Sequence, residues 1–295
     1  MSHEHWRMNI RDSTVFASQQ PKTIWQHVHP WQLVLHFARY RDLIWQFTRR
    51  QVQERYRGSY LGILWTLITP LLTLLIYTFV FSVIFKAGWE NEATKGLTGF
   101  ALVVFSGMIV FNVFGECVAQ APGLIINHPN YVKKVVFPLE ILPVSALGAA
   151  LINSSFGLII VLAGLLLSSG SLHWTLIYLP LVYLPLVALT LGLSWLLASL
   201  GVFIRDIGNF IGTAVQLLFF LTPIVYPMSA VPQPLQPILR LNPLTVVVED
   251  FRRVALWGLA PDWPWLGGAT LLSYLVMVGG YMWFMRSKQA FADVL

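Results

Sequence analysis

Residues 49–85 read RRQVQERYRGSYLGILWTLITPLLTLLIYTFVFSVIF, an arginine-rich segment that runs directly into Leu61–Phe85, which carries no charged side chain. A helix rises about 1.5 Å per residue, so this uncharged run is long enough to cross a hydrocarbon core about 30 Å thick. Arginines flank only its first end, and basic residues collect on the cytoplasmic side of membrane proteins. The stretch therefore predicts a transmembrane helix that begins in the cytoplasm.

The composition of the whole chain also indicates a membrane protein. Of its 295 residues, 56% are hydrophobic and only 11% are charged, whereas soluble domains carry about 25% charged residues. The net charge of +6 comes mainly from basic residues beside hydrophobic runs, which favours membrane topology over nucleic-acid binding. The first 30 residues lack an apolar core, so they predict a cytoplasmic tail and not a cleaved signal. The histidines lack the spacing of a metal site, and we expect no bound metal.

Six apolar runs follow one another along the chain and predict an all-α polytopic membrane protein with six transmembrane helices. The predicted spans are residues 61–85, 97–121, 139–168, 174–204, 207–227 and 263–285. Residues 31–295 would then form one transmembrane domain after a tail of residues 1–30. With both termini in the cytoplasm, most of the 19 Lys and Arg residues fall on the inner side, as the positive-inside rule requires.

Two features near the predicted cytoplasmic surface add to this topology. Residues 31–50 place apolar side chains at helical spacing opposite basic ones, which predicts an amphipathic helix lying on the membrane interface. Its apolar positions are Leu33, Phe37, Tyr40, Ile44 and Phe47. Glu116 lies near the inner end of the second span. An interfacial salt bridge with a basic partner is favoured for it over a proton relay.

A cluster of prolines interrupts the chain after the fifth span. Pro223, Pro227, Pro232, Pro234, Pro237 and Pro243 follow one another closely. A straight helix cannot continue through them, so we expect short broken helices between spans five and six. Because residues 207–239 are uncharged, this segment is predicted to stay in the membrane and to line a water-filled path; an apolar far-side loop is the alternative. The charged stretch Glu249–Arg253 is predicted to reach the far-side surface.

Five separated segments carry a family resemblance. They are RDLIWQFTRRQVQERYRGSYLGILWTLITPL, HPNYVKKVVFPLEILP, FIRDIGN, LLFFLTPIVYP and LNPLTVVVEDFRR. In order and spacing they resemble the ABC-2 type permease subunits of bacterial exporters for O-antigen, capsule and teichoic acid. The resemblance implies a homodimer that pairs with two nucleotide-binding ATPase subunits and exports a lipid-linked glycan across the inner membrane.

The same resemblance implies sites on this chain. The loop between spans two and three, with the turn after span four, would contact the ATPase. The implied coupling residues are Asn127, Tyr131, Lys133, Lys134, Phe137, Arg205 and Asp206. The proline-rich segment resembles the periplasmic gate. The implied gate residues are Thr222, Pro223, Tyr226, Pro227, Pro232 and Pro237.

The chain has no phosphate-binding loop of the form G-x-x-x-x-G-K-[ST]. We therefore expect no enzyme activity and no cofactor in this subunit, with ATP and magnesium bound by the partner.

Aromatic side chains are frequent within the predicted spans. Their flat amphipathic faces suit sugar rings, so a set of them is predicted to line a substrate channel. The predicted channel residues are Tyr77, Phe81, Phe111, Tyr183, Phe219 and Phe220. Interfacial belts and lipid-facing packing are the alternative for any one of them. Two other functions stay open: an ABC-2 permease for a small hydrophobic drug or lipid, and a membrane assembly protein without a transport path.

Overall fold

The structure, a computed structural model, describes residues 30–56, 64–84, 96–132 and 137–295. Within these ranges the chain is helical apart from short connections and contains no strand, so the predicted all-α class is confirmed. The described residues divide into two units, one before Tyr40 and one from Tyr40 onward.

The helices are numbered in chain order. They are α1 (Pro30–Arg39), α2 (Arg41–Tyr56), α3 (Trp65–Tyr77), α4 (Leu97–Gln120), α5 (Gly123–Ile126), α6 (Pro129–Val132), α7 (Ile141–Ser169), α8 (Leu179–Phe203), α9 (Ile207–Leu221), α10 (Gln236–Arg240), α11 (Pro243–Ala255), α12 (Trp263–Ser287) and α13 (Phe291–Val294). A π-helical stretch, Thr78–Ile84, continues α3, and a 3-10 turn, Trp174–Tyr178, leads into α8.

Four helices of the described ranges, α4, α7, α8 and α12, are long and apolar enough to cross a membrane. Helices α3 and α9 occupy the places of the first and fifth predicted spans but are shorter. Helix α9 ends at Leu221 and not at residue 227. Thr222 is extended (φ −102°, ψ 133°), because the residue before a proline disfavours helical backbone.

The predicted amphipathic helix over residues 31–50 is two helices, α1 and α2, with a turn at Tyr40. Polar side chains of α2 contact α7. The buried Thr48 donates from Oγ1 to the Ser145 carbonyl oxygen at 3.3 Å, and Gln51 donates to Ser145 Oγ, also at 3.3 Å. A Cβ on Gly148 would lie 2.8 Å from Thr48 Oγ1, so glycine there admits this close contact. The membrane-surface position of the segment stays a prediction.

Helices α8 and α12 form the most extensive helix pair of the bundle. Their backbones meet at two glycines. A Cβ on Gly280 would lie 2.0 Å from the Gly192 carbonyl oxygen, and one on Gly192 would lie 2.6 Å from Met277 Cα. Small residues that let helix backbones approach are typical of helix packing in membranes, where van der Waals contact supplies much of the attraction.

The predicted broken segment is confirmed. After α9 the chain forms two 3-10 turns, Met228–Ala230 and Gln233–Leu235, and then the single-turn helix α10. The next element differs from the prediction, since the stretch Glu249–Arg253 lies within α11, which packs against α4 and α8. Asp250 and Arg252 are buried there, so the expected surface position of this stretch is wrong for these two residues.

Candidate functional site

The predicted coupling loop is built around stacked rings. Tyr131 stacks on Phe137, with ring centroids 4.6 Å apart, and on His128 at 5.6 Å. Phe47 of α2 contacts the rings of Tyr131 and Phe137, each at 5.5 Å, and Arg50 Nη1 donates to the Tyr131 hydroxyl at 3.4 Å. These contacts join the loop to α2. Lys133 and Lys134 lie outside the described residues.

The chain segments that lead into the two predicted coupling regions lie close together. A Cβ on Gly201, near the end of α8, would lie 2.2 Å from the carbonyl oxygen of Pro122, which precedes α5. Arg205 and Asp206 are exposed at the turn that follows α8. Asp206 occupies the N-cap position of α9, but its side chain makes no capping hydrogen bond. Asn127 occupies the C-cap position of α5. Its side-chain nitrogen Nδ2 would lie 2.9 Å from a Cβ on Gly123.

Five of the six predicted channel aromatics form one cluster across three helical elements. Phe219 of α9 contacts Tyr77 at 5.8 Å and Phe111 of α4 at 5.2 Å, measured between ring centroids. Tyr77 also contacts Phe81 at 6.2 Å, and Phe219 contacts Phe220 at 5.4 Å. We call these five residues the aromatic cluster. Phe111 is buried in it, whereas Phe220 is exposed.

Tyr183 has other neighbours. Its hydroxyl lies 3.4 Å from Ser154 Oγ of α7, and its ring lies 6.1 Å from that of Phe251 in α11. No ring contact joins it to the aromatic cluster within the described residues. Tyr183 of α8 is therefore half-buried against α7 and α11.

The predicted gate residues lie along the broken segment, mostly where its short helical turns begin. Pro227 and Pro232 occupy the N-cap positions of the two 3-10 turns, and Pro237 lies in the first turn of α10, where its missing N–H leaves no helical hydrogen bond unmade. The Tyr226 hydroxyl donates to the Phe220 carbonyl oxygen at 2.8 Å. Thr222 and Pro223 are buried at the start of the segment.

Hydrogen bonds also tie the two ends of the broken segment together. Asn242 Nδ2 donates to Thr222 Oγ1 at 3.2 Å. The same Asn242 caps α11, since its Oδ1 accepts from the Leu244 amide at 3.0 Å. The segment thus starts and ends at one point of the bundle.

Arg252 is not among the site residues that the sequence predicted, and it has no exposed surface. Its guanidinium donates to backbone oxygens of Val103, Pro223 and Ile224 and to the Glu249 carboxylate. Its buried position could have been expected from helical periodicity, because three apolar residues share its face of α11 with Thr245 and Glu249. They are Leu244, Val248 and Ala255.

A second missed feature is a cleft of about 430 Å³ between α2, α3, α4 and α7. Arg55 and Glu116 lie at this cleft as a two-pronged ion pair, in which Nη1 donates to Oε2 at 3.0 Å and Nη2 to Oε1. The predicted salt bridge of Glu116 is thereby confirmed. Asn112 and Asn153 add polar atoms to a lining that is otherwise largely apolar.

Asp250 is the other buried charge of α11. Its Oδ1 accepts from the Asp262 amide at 2.8 Å, and Arg253 Nε lies 3.8 Å from the same atom. Burial raises the pKa of this carboxyl to about 6, against the opposing effects of that hydrogen bond and of Arg253.

The fold and these clusters define a polytopic α-helical membrane protein. Before its last long helix it has a segment that prolines interrupt and whose two ends are joined by hydrogen bonds. The family model of the ABC-2 type transporter matches residues 42–256. The chain belongs to this family, whose members are membrane transport subunits that work with ATPase subunits in ABC transporters.

Individual relatives match over nearly the whole chain. The chain is 26% identical to the O-antigen export system permease protein RfbA of Myxococcus xanthus over 264 residues, which cover 89% of this chain and 98% of the relative. It is 25% identical to the O-antigen export system permease protein RfbA of Klebsiella pneumoniae over 256 residues, which cover 86% and 95%.

Proposed function

We propose that this chain is the permease subunit of an ABC transporter that exports a lipid-linked, O-antigen-like polysaccharide across the bacterial inner membrane. The observation that carries the proposal is the similarity to O-antigen permeases over 86–89% of this chain. The excess of basic residues on one side of the predicted topology supports cytoplasmic termini.

The working complex contains two copies of this chain and two copies of a separate ATPase, which binds ATP and magnesium. The lack of a phosphate-binding loop in the chain supports this division of labour. The exposed apolar side chains Phe210, Leu217 and Phe220 of α9 offer a surface for the second copy or for lipid.

The proposed substrate path uses the aromatic cluster, because rings give sugar faces an apolar surface without a fixed hydrogen-bond pattern. The proposed coupling surface is the ring stack of Phe47, Tyr131 and Phe137 with the neighbouring turn at Arg205. The ring stack joins the loop to α2, and Gly201 brings the loop close to the end of α8, so a push by the ATPase on the loop would reach both helices.

The test reconstitutes the permease and its ATPase in proteoliposomes that contain a lipid-linked glycan. ATP-dependent appearance of the glycan in the opposite leaflet is followed with a glycan-specific lectin. Tyr131→Ala removes the centre of the ring stack, and we expect export to fall about tenfold while ATP hydrolysis continues.

Tyr178→Ala is the matched control, because Tyr178 also sits between two rings, those of Trp174 and Trp263, but not in the coupling loop. Equal export by Tyr131→Ala and by the unaltered protein would contradict the coupling role. A complex that moves hydrophobic dyes and no glycan would contradict the proposed substrate.

A further inference from the structure

The guanidinium of Arg252 joins three separate segments of the chain. Nε donates to the Val103 carbonyl oxygen of α4 at 3.2 Å. Nη1 and Nη2 donate to the carbonyl oxygens of Pro223 and Ile224, each at 2.7 Å. Nη1 also reaches Glu249 Oε1 at 2.8 Å, one turn earlier in α11. One side chain thereby attaches the start of the broken segment to both α4 and α11.

The surrounding packing leaves room for this group and for little else. A Cβ on Gly107 of α4 would lie 2.8 Å from Arg252 Nη2 and 3.2 Å from Ile224 Cγ2. Glycine at position 107 is therefore what allows the guanidinium to reach between α4 and the broken segment. Ile224 and Val225 are themselves buried in this arrangement.

General stabilisation is a poor explanation for a buried cation. Removing a charge from water costs free energy, and an apolar side chain of similar volume often packs the same space at no loss of stability. Hydrogen bonds to carbonyl oxygens of irregular backbone, in contrast, fit only one conformation of that backbone. The Pro223 and Ile224 oxygens are held as they lie here, and any movement of this turn away from α4 breaks both bonds together.

We propose that Arg252 is a positioning residue that holds residues 222–225 in the closed state of the gate, and that transport requires release of its bonds to Pro223 and Ile224. This inference rests on the proposed export function, which supplies the need for a gate. Glu249 keeps the guanidinium aimed at the segment, and Asn242 holds Thr222 from the other side.

The experiment follows the accessibility of position 225 in the permease–ATPase complex in proteoliposomes. Val225→Cys, in a Cys117→Ala background, is labelled with an impermeant maleimide from the far side without ATP. Arg252→Met keeps the length of the side chain and removes its donors. We expect Arg252→Met to raise the labelling rate of Val225→Cys at least about tenfold, because two hydrogen bonds from a charged donor are lost. We expect Arg252→Lys to give an intermediate rate.

Arg253→Met is the matched control, since Arg253 donates to the Ala260 carbonyl oxygen and has no described contact with residues 222–225. Labelling of Arg252→Met at the rate of Arg253→Met would overturn the proposal. If Arg252→Met does not fold, Gly107→Ala decides, because its Cβ displaces Nη2. The proposal requires faster labelling in Gly107→Ala than in the protein with Gly107. It also requires that adding Gly107→Ala to Arg252→Lys gives no further increase in the labelling rate. An unchanged labelling rate in Gly107→Ala overturns the proposal.

Labelling does not depend on the glycan, so the two proposals fail separately. Absence of glycan export by the unaltered complex would refute the proposed function, while the labelling rates would still report on Arg252. The positioning role also predicts that ATP hydrolysis accelerates labelling of Val225→Cys when Arg252 is intact and changes it little when Arg252→Met is added. Equal acceleration by ATP in both proteins would show that release of Arg252 is not part of opening.

Discussion

Helices α4 and α9 are both apolar throughout most of their length, yet they are packed very differently. Helix α4 has 24 residues, of which 16 are buried, whereas α9 has 15 residues and buries none in the described structure. Helix α4 contacts α7, α8 and α11, and α9 contacts chiefly α4. The bundle therefore has a packed region around α4, α8, α11 and α12 and a peripheral region of α3 and α9.

Apolarity alone therefore does not decide which helices of a membrane protein are buried. Lipid tails are as apolar as leucine, so an exposed apolar helix costs little and packing must come from shape. The packed region supplies that shape through glycines, as at Gly107, where a guanidinium fits, and at Gly192 with Gly280, where two backbones meet. In α9, a Cβ on Gly212 would meet no atom within 4 Å.

The largest effect that separates the two regions comes from adding one methyl group. Gly280→Ala places a Cβ against the Gly192 carbonyl oxygen, and backbone atoms can yield only if α8 and α12 separate. We expect a loss of about 3 kcal/mol of stability. The measurement is the melting temperature of the purified protein in detergent, followed by the loss of the monodisperse size-exclusion peak.

Gly212→Ala is the matched control in the peripheral region. Its methyl group has free space, and alanine favours helix over glycine by about 1 kcal/mol. We expect an unchanged or raised melting temperature, so the same substitution has opposite signs in the two regions. Similar losses at both positions would mean that α9 is as tightly packed as α12.

A smaller effect comes from removing a ring. Phe105 of α4 is buried in a cluster with Val103, Ile109, Val161 and Leu165. Phe105→Ala leaves a cavity, and because lipid offers no hydrophobic driving force we expect mainly the packing loss, about 2 kcal/mol. Phe210→Ala in α9 removes a ring that is 69% exposed and should change the melting temperature little. A larger loss for Phe210→Ala than for Phe105→Ala would reverse the assignment of the two regions.

Much of the fold followed from the sequence because its signals are local. Uncharged runs predicted helices at all six span positions, and the prolines predicted the break after α9. The early end of α9 is also a local effect, since Pro223 acts on Thr222. The contact of Thr48 with Ser145 was not predicted, because it depends on a partner 97 residues further along the chain.

The candidate site was predicted less completely because its key contacts are tertiary. Six aromatic residues were chosen by type and span, and Tyr183 proved to face Phe251 and Ser154. Arg252 was assigned to the surface because it belongs to a charged stretch, although Leu244, Val248 and Ala255 on the same face of α11 are apolar and buried. Nothing local in the sequence reveals that Pro223 and Ile224 leave carbonyl oxygens directed at that face.

The smallest effect concerns the pH dependence of the packed region and comes from Asp250. Burial raises the pKa of this carboxyl from 3.8 in the unfolded chain to about 6. Between these values the folded protein binds a proton that the unfolded chain does not, so this group's contribution to stability is full below pH 3.8 and is lost as the pH rises through 6. The stability of the unaltered protein is therefore expected to fall by an amount on the order of 1 kcal/mol between pH 5 and pH 7.5.

Asp250→Asn removes this dependence and retains an oxygen that can accept from the Asp262 amide. We expect the melting temperature of the variant to exceed that of the unaltered protein by more at pH 7.5 than at pH 5. Arg253, at 3.8 Å, favours the charged carboxylate, and the nearby Glu249 and Asp262 carboxylates oppose it, so the comparison is made at constant ionic strength. Asp206→Asn is the matched control, because Asp206 lies exposed beside α9. This substitution should leave the change of melting temperature between pH 5 and pH 7.5 the same as in the unaltered protein. An equal difference in Asp250→Asn and in the unaltered protein would show that Asp250 stays charged when buried, held by Arg253 and the amide of Asp262.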